Sequence, residues 1–158
     1  MINKYNRQGA VDYAIKWALS NNPNFYNFDN IGGDCTNFIS QCLLSGDCVM
    51  NFSQNGWYYT NSYNRSPSWT SVKFLQDFLL NNKTLGPFGH VVNLSQIQLG
   101  DIIQIKQNPF TYNHSVIVTK IENGNIYVCA HTFNVSNKKL SSYNFLSLLP
   151  IHIDGYYT

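Results

Sequence analysis

The sequence predicts an α+β domain in which N-terminal helices pack on an antiparallel β-sheet. Helical patterns fill the first half of the chain, and from residue 90 onward apolar and polar residues alternate. Strands that follow one another through short turns favour antiparallel pairing, and helices segregated from strands favour the α+β class. The length of 158 residues suffices for one proper core, so we expect residues 1–158 to form a single domain.

Two helices are predicted from capping residues followed by apolar positions at helical spacing. Asn6 can cap a helix over residues 7–20, because its short side chain can accept a bond from a free helix N–H group. Ser68 or Thr70 can cap another helix over residues 71–81 in the same way.

A third helix begins at a cysteine. The segment Gly-Gly-Asp-Cys places Cys35 at the first turn of a helix that Gly46 ends, and we expect Asp34 to cap it. One buried stripe of this helix follows the spacing i+3, i+4, i+7 and i+8: Phe38, Ile39, Cys42 and Leu43. The positive end of a helix dipole favours thiolate over thiol, so the position of Cys35 suits a nucleophile.

The strand patterns form a series of hairpins. Apolar strands are predicted at 102–105, 115–121 and 126–131, and a last strand at 151–157 is expected at the sheet edge. Asn123-Gly124 between the second and third of these is a strong signal for a two-residue hairpin turn.

Two histidines fall at one end of this hairpin. If Asn123-Gly124 is the centre of the turn, the register places His114 and His131 diagonally across the two strands and on one face of the sheet. We therefore predict Cys35 as nucleophile, His114 as general base and His131 as the residue that orients it, with Asn134 as the alternative orienting group. The Cys35 N–H and a group from the 26–34 loop are the expected oxyanion donors.

Substrate contacts are expected from the long aromatic stretch between the helices. We assign Asp34, Trp57, Tyr58, Trp69 and Asn134 to substrate binding, with packing as the alternative role for the aromatic residues. Only 11% of the residues are charged and the net charge is +2, so we do not expect a nucleic-acid partner. We expect a neutral polar substrate instead.

Three segments of the chain resemble a known family. Gly-Gly-Asp-Cys-Thr-Asn-Phe-Ile-Ser-Gln-Cys-Leu at 32–43 strongly resembles the cysteine motif of the bacterial putative amidase domain family. The segment Tyr-Asn-Arg-Gln-Gly-Ala-Val-Asp-Tyr-Ala at 5–14 resembles its first helix. Asn-His-Ser-Val-Ile-Val at 113–118 and Ala-His-Thr at 130–132 resemble its later motifs.

This resemblance implies a fold and a chemistry. The family looks like a branch of the papain-like cysteine hydrolases, close to the CHAP and NlpC-type cell-wall hydrolases, which have helices packed on an antiparallel sheet. It implies Cys35 as nucleophile, His114 as general base and His131 as the third member of a triad.

The resulting prediction is a cysteine-dependent amidase or endopeptidase that cleaves peptidoglycan. The alternatives are a secreted effector that cleaves or deamidates a protein, and an inactive wall-binding module. No cofactor is expected and, since there is no Cys-x-x-Cys pair, no structural zinc site. We expect a monomer without a membrane span or a signal peptide, secreted or associated with the cell wall if it is part of a larger chain.

Overall fold

The computed structural model describes residues 1–158, and the helices precede most of the strands along the chain. The helices are α1 (Arg7–Trp17), α2 (Cys35–Ser45), α3 (Pro67–Thr70) and α4 (Val72–Asn81). The strands are β1 (Ile2–Asn3), β2 (Tyr59–Asn61), β3 (Asn64–Arg65), β4 (Gly86–Val91), β5 (Ile102–Lys106), β6 (His114–Glu122), β7 (Asn125–Ala130), β8 (Val135–Lys139) and β9 (Ser147–Tyr157). No helix is both long and apolar enough to cross a membrane.

Side-chain caps fix where two of the helices begin. The Asn6 side chain accepts a hydrogen bond of 2.9 Å from the Gly9 N–H, which confirms the predicted start of α1. At α4 the cap is Ser71, which accepts from the Phe74 N–H at 3.4 Å, so the prediction of Ser68 or Thr70 was wrong. Those two positions belong instead to the short helix α3.

The main sheet is antiparallel throughout, as the α+β prediction requires. Its strands follow the order β1-β9-β5-β6-β7-β8, and β4 pairs with β9 on the side away from β5. The prediction that the last strand lies at an edge was therefore wrong, because β9 has neighbours on both sides. β2 and β3 form a separate two-stranded hairpin.

The sheet separates two hydrophobic clusters. On the helix face, α1, α2 and α4 cover Ile102, Ile117 and Cys129, which share a core of 18 buried residues. On the opposite face, alternate residues of β5, β6 and β7 form a second cluster together with residues from the segments before β5 and after β8. Its buried members are Ile97, Ile103, Ile105, Val116, Val118, Val128, Ala130 and Leu140.

A β-bulge changes the register of the β6–β7 hairpin. Near the turn, Lys120 pairs with Tyr127, but Val118 pairs with Val128, so β6 contains one extra residue at Thr119. A one-residue shift moves every following side chain to the other face relative to its partner strand. The register on the two sides of Thr119 therefore differs by one residue.

Trp57 and Trp69 are core residues that hold α2 in place. Their rings are 4.8 Å apart, and both are fully buried. The Trp57 indole donates to Ser40 Oγ at 3.1 Å, and the Trp69 indole donates to Asn37 Oδ1 at 2.9 Å. The prediction that these two tryptophans line a binding surface fails, because a long apolar side chain gains more free energy from this burial than from exposure.

Asp101 is a buried carboxylate that joins α1 to β9. Its Oδ1 accepts from Arg7 Nη1 at 2.7 Å and from the Ile153 N–H at 3.0 Å. Its Oδ2 accepts from the Gln98 N–H at 2.9 Å and lies 2.9 Å from Nδ1 of His152. The charge is therefore fully compensated, and the first helix is tied to the longest strand.

We expect Asp101→Ala to lower the free energy of unfolding by about 3 kcal/mol, because the Arg7 charge would lose its carboxylate partner in a partly buried position. Asp77→Ala is the matched control, since Asp77 pairs with Lys73 on the exposed face of α4 and its loss should cost about 0.5 kcal/mol or less. Urea denaturation measures both values. Equal losses for the two variants would contradict this account of Asp101.

Candidate active site

Cys35 is the first residue of α2 and is held by a sharp turn. Gly32 and Gly33 have φ angles of +82° and +97°, a left-handed conformation that glycine adopts without steric cost. The first backbone bond of the helix runs from the Phe38 N–H to the Asp34 carbonyl at 3.0 Å. The cysteine is 8% exposed, so its side chain is almost buried but not sealed off.

Asp34 does not cap α2 with its side chain, contrary to the prediction. Its Oδ1 accepts from the Phe28 N–H and from Asn37 Nδ2, both at 2.8 Å, and its Oδ2 lies 2.6 Å from Nδ1 of His131. Asp34 is fully buried and its carboxyl oxygens are bonded to protein groups, so it is not accessible for the predicted contact with substrate.

His131 completes a buried pair with Asp34. Its Nε2 lies 2.7 Å from the Trp17 carbonyl oxygen, and its ring stacks on Phe38 with centroids 4.0 Å apart. Both ring nitrogens thus lie at hydrogen-bond distance from oxygen atoms, which fixes the orientation of the ring. His131 thereby joins the end of α1, the start of α2 and the end of β7.

Thr132 is a site residue that the sequence analysis missed. Its Oγ1 accepts from the Asp34 N–H at 2.7 Å and donates to Asp29 Oδ1 at 3.3 Å. The residue has a φ of +57°, which is unusual for a β-branched side chain. A Cβ at Gly33 would lie 3.3 Å from this hydroxyl, so the glycine turn and Thr132 are packed against each other. The sequence contains no local signal for this conformation.

The surroundings of Cys35 favour the neutral thiol. Burial raises the pKa of the Cys35 thiol above its usual value, and hydrogen bonds from the Ser115 backbone and from Thr36 oppose this effect only in part. The prediction that the helix terminus makes Cys35 a thiolate is therefore not met in the ligand-free protein. The Ser115 contact brings the sulfur to the start of β6, one residue from His114.

His114 is the first residue of β6 and is 8% exposed. Its ring centroid lies 6.0 Å from that of Tyr143. Burial, together with the nearby Lys138 charge, lowers the pKa of His114 to about 4. The imidazole is therefore uncharged near neutral pH and able to accept a proton.

The two histidines lie on opposite faces of the sheet. His114 follows the alternation of Val116 and Val118, whereas His131 follows that of Cys129. The prediction that they share a face was wrong, because the bulge at Thr119 shifts the register that the turn alone would set. The structure contains no hydrogen bond between Cys35 and either ring.

A cavity of about 340 Å³ adjoins His114. Its other lining residues are Gln107, Asn113, Thr132, Phe133, Lys138, Ser142, Tyr143 and Asn144. Asn134, the alternative orienting residue, is exposed and makes no hydrogen bond. Tyr58 is half-buried beside Phe52, with ring centroids 5.1 Å apart, and does not line this cavity.

A larger cavity, of about 640 Å³, lies between α4 and the 51–56 segment and contains neither Cys35 nor His114. The size of a cavity therefore does not identify the reactive residues here. No group of three or more His, Cys, Asp or Glu side chains is arranged to hold a metal ion.

Comparison with known proteins identifies the family. The sequence model of the family described as "Putative amidase domain" matches residues 4–150. The chain belongs to this family. The match covers nearly all of the chain of this amidase-family protein and includes both the cysteine turn and the two histidines.

Two relatives from Bacillus subtilis (strain 168) are similar to the amidase-family chain. It is 35% identical to the uncharacterized protein YhbB over 136 residues, which are 83% of this chain and 42% of the relative. It is 28% identical to the uncharacterized protein YjcM over 144 residues, which are 86% of this chain and 33% of the relative. The chain thus spans less than half the length of these curated relatives, and no solved structure matches it.

We expect the amidase-family domain to lose stability as the pH falls from about 6.5 to about 4 through His114. The unfolded chain takes up a proton near the usual histidine pKa, while the folded protein resists it, so folding weakens by about 3 kcal/mol over this window. The difference between the unfolding free energies of the wild type and His114→Gln, followed against pH, isolates this contribution. A constant difference between pH 7 and pH 4 would contradict it, and His90→Gln, at an exposed histidine, is the control.

His131→Leu should lower the free energy of unfolding by about 3 kcal/mol or more, because it leaves the Asp34 carboxyl group buried without its side-chain partner on β7. The matched control is His90→Leu, since His90 forms a similar 2.7 Å pair with Asp154 at the surface. Thermal and urea unfolding measure both. If the two variants were equally stable, the buried pair would not have the structural role assigned to it.

Proposed function

We propose that this chain is a cysteine-dependent amide hydrolase in which Cys35 is the nucleophile and His114 the general base. The observation that carries the proposal is the placement of Cys35 at the start of α2, with its sulfur against the backbone of Ser115, the residue after His114. Membership of an amidase family supports amide-bond hydrolysis as the reaction class.

The protonation states of the two groups suit a general-base mechanism. A neutral thiol needs a partner that takes its proton as the sulfur attacks, and the His114 imidazole is unprotonated at neutral pH. The structure contains no hydrogen bond between them, because the His114 ring faces the side of the sheet opposite α2 while the Cys35 sulfur contacts the Ser115 backbone. In many enzymes such bonds shorten only when substrate is bound.

The reaction proceeds through an acyl-enzyme. The Cys35 sulfur bonds to the amide carbon, the thiol proton passes to His114, and the carbonyl π electrons move to the oxygen. The imidazolium then donates this proton to the amine as the carbon–nitrogen bond breaks, which leaves a thioester. Water, deprotonated by His114, attacks the thioester, and the sulfur departs and regains the proton.

The oxyanion formed in each step needs a donor at the start of α2. The Gly33 N–H is bonded to the Phe28 carbonyl and the Asp34 N–H to Thr132, whereas the Cys35 N–H, at the start of α2, has no such partner. We assign the Cys35 N–H to the oxyanion, because it is fixed before the substrate arrives.

His131 acts by position in this proposal and does not transfer protons. Both of its ring nitrogens are bonded, to Asp34 and to the Trp17 carbonyl. The orienting residue of a triad normally contacts the general base. His131 instead contacts Asp34, the residue before Cys35, so its effect on Cys35 passes through Asp34. Its substitution should therefore affect folding and activity together.

Peptidoglycan is the proposed substrate, at its stem peptide or its N-acetylmuramoyl amide bond. The cavity beside His114 is lined mainly by amide and hydroxyl side chains, with one lysine and the apolar ring of Phe133, which suits a polar substrate with some negative charge; Cys35 is not among its lining residues. A location outside the membrane or at the cell wall follows from this substrate and is part of the proposal.

Cys35→Ala should abolish the release of new amino groups from purified peptidoglycan, with a loss of at least about 10³-fold, because no other group can form the thioester. His114→Gln should reduce turnover by about 10²-fold or more. Cys129→Ala, at a fully buried cysteine in β7, is the control and should retain activity. The measurement is dinitrophenylation of free amines with mass spectrometry of the fragments.

A folded Cys35→Ala protein with wild-type turnover would overturn the cysteine mechanism. If the wild type cleaves a library of peptides or deamidates glutamine but leaves peptidoglycan intact, the mechanism stands and the substrate assignment is wrong.

A further inference from the structure

Three buried polar side chains connect Cys35 to the interior of the sheet. The Thr36 hydroxyl lies 3.7 Å from the Cys35 sulfur and 3.3 Å from Ser115 Oγ. Gln104 on β5 donates from Nε2 to Ser115 Oγ at 3.3 Å. We call Gln104, Ser115 and Thr36 the Gln104 chain; none of them has a role in the steps described above.

The amide of Gln104 can have only one orientation. Its Nε2 also donates to the Val72 carbonyl oxygen at 2.9 Å, and a flipped amide would place two oxygens against each other there. The Oε1 atom is buried and has no hydrogen-bond partner. Burying an unpaired acceptor is unfavourable. The fold tolerates this cost, and both Nε2 protons of Gln104 form hydrogen bonds.

The direction of the remaining hydrogen bonds follows from this fixed donor. Ser115 Oγ receives a proton from Gln104 and has one hydrogen-bond acceptor nearby for its own, Thr36 Oγ1. The Thr36 hydroxyl then directs its proton to the Cys35 sulfur. If the thiol instead donated to Thr36, either the Thr36 or the Ser115 hydroxyl proton would have no acceptor in this chain of bonds.

We propose that Gln104 is a positioning residue that, through Ser115 and Thr36, holds a hydroxyl donor on the Cys35 sulfur. A donor at the sulfur stabilises the thiolate as it forms and leaves the proton of the thiol to go elsewhere, to the proposed base His114. Chains of hydrogen bonds polarise one another in a buried environment, so the effect reaches the sulfur from two residues away. The catalytic meaning of this role rests on the proposed function; the hydrogen-bond chain itself does not.

Few ionisable groups lie close to the Cys35 sulfur. Asp34 precedes Cys35 on the α2 side and is paired with His131. His114 precedes Ser115 on β6. Gln104 on β5 and Val72 on α4, whose carbonyl accepts from Gln104, carry no charge. The Gln104 chain is therefore the main uncharged set of side chains that acts on the Cys35 thiol, and mutation can remove it without changing the local charge.

The test is the pH dependence of Cys35 alkylation by iodoacetamide, followed by peptide mass spectrometry in the absence of substrate. Because only the thiolate reacts, the midpoint of the rate profile reports its stability. Ser115→Ala and Thr36→Val should each raise the midpoint by about one pH unit. Gln104→Met, which removes the donor without touching the cysteine, should shift it in the same direction, and Thr36→Ser should restore the wild-type midpoint.

The control is Thr119→Val, since Thr119 Oγ1 lies 3.4 Å from the sulfur of Cys129 rather than that of Cys35, and it should leave the profile unchanged. Circular dichroism establishes folding for each variant. A wild-type midpoint in folded Gln104→Met overturns the role of Gln104; if this variant does not fold, a wild-type midpoint in Ser115→Ala overturns it. An active Cys35→Ala protein would instead defeat the proposed function and leave the alkylation result intact.

Discussion

The buried bond between His131 and Asp34 is the interaction on which the site depends. It is 2.6 Å long, both side chains are excluded from water, and it connects the end of β7 to the residue that precedes Cys35. Asp34 also binds the backbone of the preceding loop at Phe28, so one carboxylate fixes both sides of the glycine turn. Breaking a buried pair of this kind leaves a polar group without a partner, so the bond ties the cysteine turn firmly to the end of β7.

Local patterns in the sequence predicted the elements that are stabilised locally. The Asn6 cap, the end of α2 at Gly46 and the turn at Asn123-Gly124 depend on nearby residues, and the structure contains all three. β4 and β8 could not be predicted from the sequence pattern. β4 contains two glycines and a proline, and β8 is a polar edge strand, so neither shows the expected alternation. Their pairing with distant strands forms them, and that information is not local.

The candidate site was predictable in its residue types but not in its geometry. The motif around Cys35 correctly indicated a cysteine at a helix start, and the hairpin brought His114 and His131 to the same end of the sheet. The single extra residue at Thr119 then reversed the face of one histidine, and no composition or spacing rule specifies where a bulge occurs. Burial has the largest effect on the pKa of Cys35 and outweighs its position at the helix start. Burial depends on the whole fold, so the local sequence does not predict it.

Because His114 and His131 face opposite sides at the end of the sheet, we expect a substitution around one histidine to leave the contacts of the other intact. If the proposed substrate binds in the cavity beside His114, substitutions there, for example at Gln107 or Asn144, would alter which substrate fits without disturbing the His131–Asp34 pair on the α2 side. Divergence in specificity among homologous chains would then concentrate on one side of the β6–β7 hairpin. The other side would change slowly, because each substitution there endangers the folded state itself.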